Sequence, residues 1–301
     1  MKSIIISLFF VLSFNALSQN DSKNHYDQRL VKFDVKTVDN DQFGIVKLIL
    51  TNQRVKVKYF ASKDPSGKSV AERFNEWSFN KKLILVSSGT YYFYPNPNNK
   101  NKNTAKPVGV CIDNGNIINI QTDNKLDALA MVYSSGKIVV ENLKNKSITV
   151  PNTNGSQTIL NLSNPLDYSM FLKWAKDVSA TIFQSHLFAF KGNLMVNQNA
   201  NSFKDYRRFL ASGINNSGEI VQYIINLPFN TTILQGSKYA LDYLKVNENL
   251  KEISFLINLD TGAQNVLEVY HPKDGKTILN TNFMGKKEIK DAINLIVYYY
   301  Q

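Results

Sequence analysis

A single cysteine, Cys111, stands in a chain of 301 residues, and its isolation excludes several things. It has no partner for an internal disulfide, and there is no cysteine cluster for a structural zinc. A lipoprotein needs a cysteine at the point where its N-terminal signal is cleaved, and Cys111 is far from it, so lipid anchoring by that route is excluded. Between Val108, Val110 and Ile112, Cys111 reads as a buried strand residue. Histidine is almost as scarce: His25, His186 and His271 are the three present, and no spacing of His, Asp and Glu makes a transition-metal motif. The chain also lacks a phosphate-cradling glycine loop and a Gly-x-Ser-x-Gly elbow. Acidic residues are the minority sign, 24 against 35 basic, for a net charge of +11. The lysines are scattered and interrupted by acids, which speaks against a nucleic-acid partner. The overall field still favours anionic small substrates.

What the sequence does contain begins with Met1–Ser18, a basic start, an apolar stretch too short to span a bilayer comfortably, and a small-residue end. It reads as a secretory signal peptide, with export to the periplasm or medium and no stable membrane anchor expected. Residues 19–29 read as a polar leader, and 30–301 as one domain. Alternation predicts strands over Leu30–Val38 and Arg54–Phe60, with a third at Phe43–Thr51. Ser69-Val-Ala-Glu72 is a capping box for a short helix carrying Val70, Phe74 and Trp77. A buried strand is predicted over Lys82–Tyr94, followed by an exposed Asn-rich loop from Pro95 to Lys106. Short strands follow at Pro107–Asp113, Asn116–Gln121, Ala128–Tyr133 and Lys137–Glu141, with hairpin turns at Asn114-Gly115 and Ser135-Gly136. Asn164-Pro165 opens a helix expected to bury Leu166, Met170, Phe171 and Trp174. Thr181–Phe190 reads as one strand, Ile220–Asn226 as another, and Leu234–Leu244 as amphipathic. Lys290–Tyr300 closes the chain as a strand. Hairpins dominate, so the expected class is α+β, with a mixed, largely antiparallel β-sheet core and a few packed helices.

The stretch with the most chemical promise is Ile253–Leu259 running into Asp260-Thr261-Gly262. A mainly apolar run bounded by a turn signal predicts a strand covered on both faces, and its end delivers a carboxylate to a sheet edge. Asp-Thr-Gly is equally a turn whose carboxylate bonds its own backbone. An aspartic protease needs two such turns sharing a proton; no second Asp-Thr-Gly or Asp-Ser-Gly exists. Arg207-Arg208 sit between apolar residues, where one guanidinium can bind phosphate or carboxylate, or both can lie on the surface. His186 is either an acid–base group or a satisfied core histidine.

In order along the chain, several segments resemble the phosphodiester glycosidase family. Leu85-Val-Ser-Ser-Gly-Thr-Tyr-Tyr92 is similar to its Asn-Ala-Gly-Phe-Phe turn, and Pro107-Val-Gly109 to its Pro-x-Gly. Phe183–Gly192 is similar to its Gly-Pro-x-Leu-Val…Gly segment, and Arg207–Ala211 to its Arg-Thr-Ala turn. Asn258-Leu-Asp-Thr-Gly-Ala-Gln264 is similar to Asn-Leu-Asp-Gly-Gly-Gly-Ser, and Lys286–Asn294 to a late Glu-Arg-x-Val-x-Asn-Ala segment. Here Ser87 replaces the family's first-turn asparagine, Thr261, Ala263 and Gln264 replace glycines and a serine, and a lysine near Lys290 replaces the late arginine. The resemblance implies hydrolysis between a sugar's anomeric carbon and a phosphodiester oxygen. Asp260 would be nucleophile or base, and Arg208 or Arg207 the phosphate clamp. Gly89, Tyr91, Tyr92, Gln184, Ser185, His186, Asn258 and Gly262 would form the substrate pocket. It implies no cofactor and no metal; the partner is a small-molecule or glycan substrate carrying phosphate. A non-catalytic carbohydrate-binding or envelope protein on the same fold is the alternative.

Overall fold

The computed structural model describes residues 24–62, 67–96, 98, 105–133, 135–151, 155–196, 203–262 and 264–301. The expected signal peptide and most of the Asn-rich loop lie outside them. Three sheets converge on one core. The largest has seven strands, in the order Val31–Val38, Asp41–Ile49, Ile220–Thr231, Asp205–Ile214, Glu252–Leu259, Leu187–Phe190 and Asn193–Leu194. A four-stranded sheet orders Leu267–Val269, Lys82–Ser87, Leu295–Tyr300 and Val55–Phe60. A five-stranded sheet orders Ile138–Asn142, Ala128–Val132, Thr181–Ser185, Cys111–Asp113 and Asn116–Asn119. The strand ladders are antiparallel, and the fold class is α+β with a largely antiparallel core; a parallel contact occurs at the single bridge between Val266 and Lys287.

The inner faces of all three sheets meet through Leu210, Ile224 and Ile257 from the first, Leu85, Ile296 and Tyr298 from the second, and Ala130 and Phe183 from the third. Each sheet carries a helix on its outer face. Helix α1, Val70–Ser78, begins at the expected Ser69–Glu72 capping box and lays Val70 and Phe74 on Val86 and Val297. Helix α2, Pro165–Asp177, is capped by Asn164 and buries Phe171 and Ala175 against Ile182 and Met131. Helix α3, Ile233–Asp242, covers Phe209, Ala211 and Leu256. Strands sandwiched this way lose the apolar–polar alternation of a half-solvated sheet. That is why Leu295–Tyr300 and Ile253–Leu259 read as largely apolar runs.

Several expectations are corrected. Leu166 and Met170 are exposed, because α2 turns Phe171 and Ala175 inward, one turn apart. The strand from Lys82 stops at Ser87, where the chain turns, and Tyr92–Phe93 forms a separate two-residue pair with Lys106–Pro107. The last strand starts at Leu295, after a short 3-10 turn at Ile289–Asp291. A hairpin of Ser147–Pro151 with Gln157–Asn161 had no sequence expectation. The described end of the polar leader is docked: Tyr26 is buried and donates its hydroxyl to Tyr270 O at 2.5 Å.

Thr181–Phe190 is two strands. Thr181–Ser185 belongs to the five-stranded sheet and Leu187–Phe190 to the seven-stranded one, with His186 at the corner between them.

Candidate functional site

Asp260 follows the last residue of its strand at the junction of the three sheets. The turn Ser87–Tyr91 is pinned there from three directions. Asp260 N donates to Gly89 O (2.8 Å), and Ser88 Oγ donates to Asp260 O (2.5 Å). Asn294 brackets the same turn, accepting from Gly89 N and donating to Thr90 O, both at 2.9 Å. Thr90 Oγ1 donates to Gln184 O. Gly89 has to be glycine: a Cβ would lie 2.5 Å from Asn294 Oδ1 and 2.8 Å from the Tyr59 ring. Asn294 is wholly buried and had no expectation attached; a lone asparagine in Lys290–Tyr300 gives no signal of its own.

Asp260 is 8% exposed. Burial pushes its carboxyl above the ordinary range; the Gly262 N–H and the nearby Arg208 charge oppose this, and Asp205 adds to it. Oδ1 accepts from Gly262 N at 2.9 Å, so the turn geometry expected for Asp-Thr-Gly is present. Gly262 is not in the left-handed region, and a Cβ there would meet only Asp260 Oδ1, at an ordinary 3.4 Å.

Arg208 is fully buried. Its Nε donates to Asn226 Oδ1 (3.1 Å), and its Nη2 to Asn265 Oδ1 (2.6 Å). Nη1 donates to Val266 O (2.6 Å), Ser87 Oγ (3.2 Å) and Ser88 Oγ (3.3 Å). Burial lowers its pKa to about 9, opposed by Asp260, and it remains a cation at neutral pH. This guanidinium is spent on holding the Ser87–Ser88 and Asn265–Val266 turns against the seven-stranded sheet. It does not fit the clamp role expected for it.

Arg207, one residue earlier, points to the other face. The register aligns Arg208 with Leu259 and Phe209 with Asn258, so Arg207 shares a face with Asn258. It keeps 9% of its surface, and burial lowers its pKa while Asp205 and Tyr91 oppose the shift. Nε donates to Thr231 O (3.3 Å) and Nη2 to Phe203 O (2.9 Å), and Nη1 has no partner among the described residues.

Tyr91 connects these groups. Its hydroxyl accepts from Asn258 Nδ2, and its ring meets the His186 ring edge-on at 5.2 Å. Burial raises its pKa, as does the Asp260 charge; the Asn258 hydrogen bond and Arg207 act the other way. Asn258 is 3% exposed, and its Oδ1 has no hydrogen-bond partner among the described residues. A buried amide oxygen left unpaired costs about 1–3 kcal/mol, so it is a ready acceptor for a ligand hydroxyl or N–H. Burial depresses the His186 pKa, partly offset by Asp127 and by a hydrogen bond to the Lys125 backbone; the ring also stacks on Phe188.

The structure therefore gathers Asp260, Arg207, Tyr91, Asn258 and His186, with Gly89 and Gly262 at the adjoining turns. Asp205 joins them without a sequence expectation; it has no motif and is found only through the register of its strand. Three expected pocket residues are engaged elsewhere. Tyr92 points its hydroxyl at Ser62 N (3.2 Å), next to Tyr59 and Cys111. Gln184 is wholly buried, with both ends of its amide bonded to the backbone of Val110, Asp123 and Leu126. Ser185 donates to Asn258 O at 2.5 Å. Among the described residues no group of three or more His, Cys, Asp or Glu is arranged to hold a metal ion, and no helix is long and apolar enough to cross a membrane.

No family model matches the chain, and no curated protein matches it. Among solved structures, the zebrafish N-acetylglucosamine-1-phosphodiester alpha-N-acetylglucosaminidase catalytic domain, auto-inhibited by its pro-peptide, overlaps 90% of this chain and 82% of its own, with TM-score 0.48 and 12% identity. A hypothetical protein from Synechocystis overlaps 90% of this chain and 62% of its own, with TM-score 0.43 and 11% identity. A Burkholderia pseudomallei protein assigned as exported overlaps 86% and 74%, with TM-score 0.47 and 9% identity. At these scores the overlaps mark a distant likeness of overall shape and carry nothing about individual residues.

Proposed function

We infer that the chain is a hydrolase of sugar phosphodiesters, with Asp260 as its carboxylate and Arg207 as its phosphate clamp. The observation that carries this is the placement about Tyr91 of two groups: the buried carboxylate of Asp260, and the Arg207 guanidinium, whose Nη1 has no partner among the described residues. In the reaction, Asp260 takes a proton from water as the water oxygen bonds the anomeric carbon. The carbon–oxygen bond to phosphorus breaks, and the departing phosphate monoester keeps the electron pair. Arg207 stabilises the charge that gathers on its oxygens. Phosphate leaves well without a strong general acid, so a neutral His186 is no obstacle. Asn258 Oδ1, without a donor among the described residues, takes a sugar hydroxyl or N–H.

One observation favours the alternative: Asp260 Oδ1 already caps Gly262 N, as a purely structural turn in a carbohydrate-binding protein would. Incubation with glucose or N-acetylglucosamine 1-(methyl phosphate) separates the two. Release of free sugar by the wild type, lost in Asp260→Asn, supports the hydrolase. Equal release by both proteins removes Asp260 from the chemistry, and affinity without product favours the binder.

A further inference from the structure

A cleft of about 890 Å³ lies between the loop 122–127 and the short turn at Leu143–Asn145. Its size falls within the range of ligand pockets, about 300–1,000 Å³. The walls are built. Gln184, wholly buried, accepts from Asp123 N (3.0 Å) and donates to the carbonyls of Asp123 (3.1 Å) and Leu126 (2.8 Å), fixing one wall. The opposite wall is tied by main-chain bonds from Leu143 N to Asp127 O (2.8 Å), Lys146 N to Leu143 O (2.8 Å) and Leu162 N to Lys146 O (2.7 Å). Lys146 closes the turn in the left-handed region, at φ 54°.

Charge is distributed unevenly around this cleft. Lys125, Lys144 and Lys146 are exposed on its rim, and none of their ammonium groups is paired with an acid among the described residues. The two carboxylates that also line it are tied down. Asp123 Oδ1 accepts from Lys125 N (2.7 Å), and Asp127 Oδ1 accepts from Leu187 N (2.7 Å). The floor is Leu126, Leu143 and Leu162, a surface suited to the apolar face of a sugar ring. None of Asp260, Arg207, Tyr91, Asn258 and His186 lines the cleft, which sets it apart from the Asp260 site.

We propose that this cleft is a second binding site, for an anionic oligosaccharide whose phosphate or carboxylate groups are held by Lys125, Lys144 and Lys146. It is independent of turnover at Asp260. The test is calorimetric titration at low salt with three probes of similar size: a phosphorylated maltotriose, trigalacturonate and neutral maltotriose. Wild type binds one or both anionic probes, in a salt-sensitive way, and maltotriose at least roughly tenfold more weakly. The triple variant Lys125→Ala, Lys144→Ala, Lys146→Ala loses roughly tenfold or more in affinity for the anionic probe. Its side chains are exposed, so its fold is retained, as circular dichroism checks. Asp260→Asn binds as wild type does, which separates this site from the hydrolytic reading. Preference for the phosphate or the carboxylate probe assigns the ligand class. Absence of binding by wild type, equal binding of maltotriose, or unchanged affinity in the triple variant overturns the proposal.

Discussion

Arg207 and Arg208 are neighbours in the chain and finish on opposite faces of one sheet, the first beside Tyr91 and the second sealed among Asn226, Asn265 and Val266. Their substitutions separate accordingly. Arg208→Ala leaves Asn226 Oδ1 and Asn265 Oδ1 without a donor among the described residues, and takes one donor from Val266 O, Ser87 Oγ and Ser88 Oγ, which keep other hydrogen bonds. A buried acceptor left unpaired costs about 1–3 kcal/mol, a large share of a domain's folding free energy of about 5–15 kcal/mol. Urea denaturation should show a loss of at least about 3 kcal/mol, or no folded protein. Arg207→Ala removes two bonds to carbonyls at the sheet end and should cost about 1–2 kcal/mol. It should also lower kcat/KM for a sugar phosphodiester by about 10²–10³. The reverse ranking would sink the division of roles.

Asp260→Asn tests electrostatics as well as chemistry. The folded carboxyl has a raised pKa, so the folded state holds the proton more tightly than the unfolded chain. Its stabilising contribution is therefore complete below the ordinary value of 3.8 and is lost as pH rises through the folded pKa. Asparagine keeps an acceptor for Gly262 N without the charge. The variant should melt higher than wild type at neutral pH, with the gap closing in acid, while turnover falls by about 10²–10⁴. Paired melting curves across that range provide the check; a variant less stable at neutral pH contradicts the burial argument.

Part of this site was legible before any coordinates. The strand ending at Asp260 announces itself because a run covered on both faces is mostly apolar, and Ser69–Glu72 announces its helix through paired caps. The arginine pair could not be resolved that way. A choice of face is a choice of register, and only pairing with Leu259 and Asn258 supplies it. Gln184 and Ser185 look like pocket polar groups for the same reason that they serve as ties: a buried amide or hydroxyl needs partners, and the sequence does not say whether they are protein or ligand. Thr181–Phe190 has a continuous strand composition on both sides of His186, so nothing local marks the corner where it leaves one sheet for another.

Gly89→Ala probes the junction of the sheets. The added methyl would sit within 2.5 Å of Asn294 Oδ1 and 2.8 Å of the Tyr59 ring, both buried and neither at the end of a long flexible chain. Overpacking of this kind costs about 1–3 kcal/mol, and here it also pushes on the Gly89 carbonyl that receives Asp260 N. The expected result is a lower urea midpoint with reduced turnover. Adding Asn294→Ala should recover part of the stability lost to the methyl, measured against Asn294→Ala alone, by relieving one of the two clashes. Additive losses would place the clash elsewhere.

His186 predicts a pH dependence of the opposite sign to Asp260. Burial holds its folded pKa below 6.5, so its contribution to stability is complete above the unfolded value and declines as pH falls below it, towards the folded pKa. His25 is depressed by burial as well, so the wild-type curve contains both, together with the carboxylates. The His186 share is isolated by subtracting the curve of His186→Gln, which cannot take up a proton in this range. Urea midpoints measured from above pH 6.5 down to about pH 5 should show wild type losing stability faster than the variant. Parallel curves would mean that the ring takes up its proton as easily in the folded protein as in the unfolded chain, which its packing between Tyr91 and Phe188 argues against.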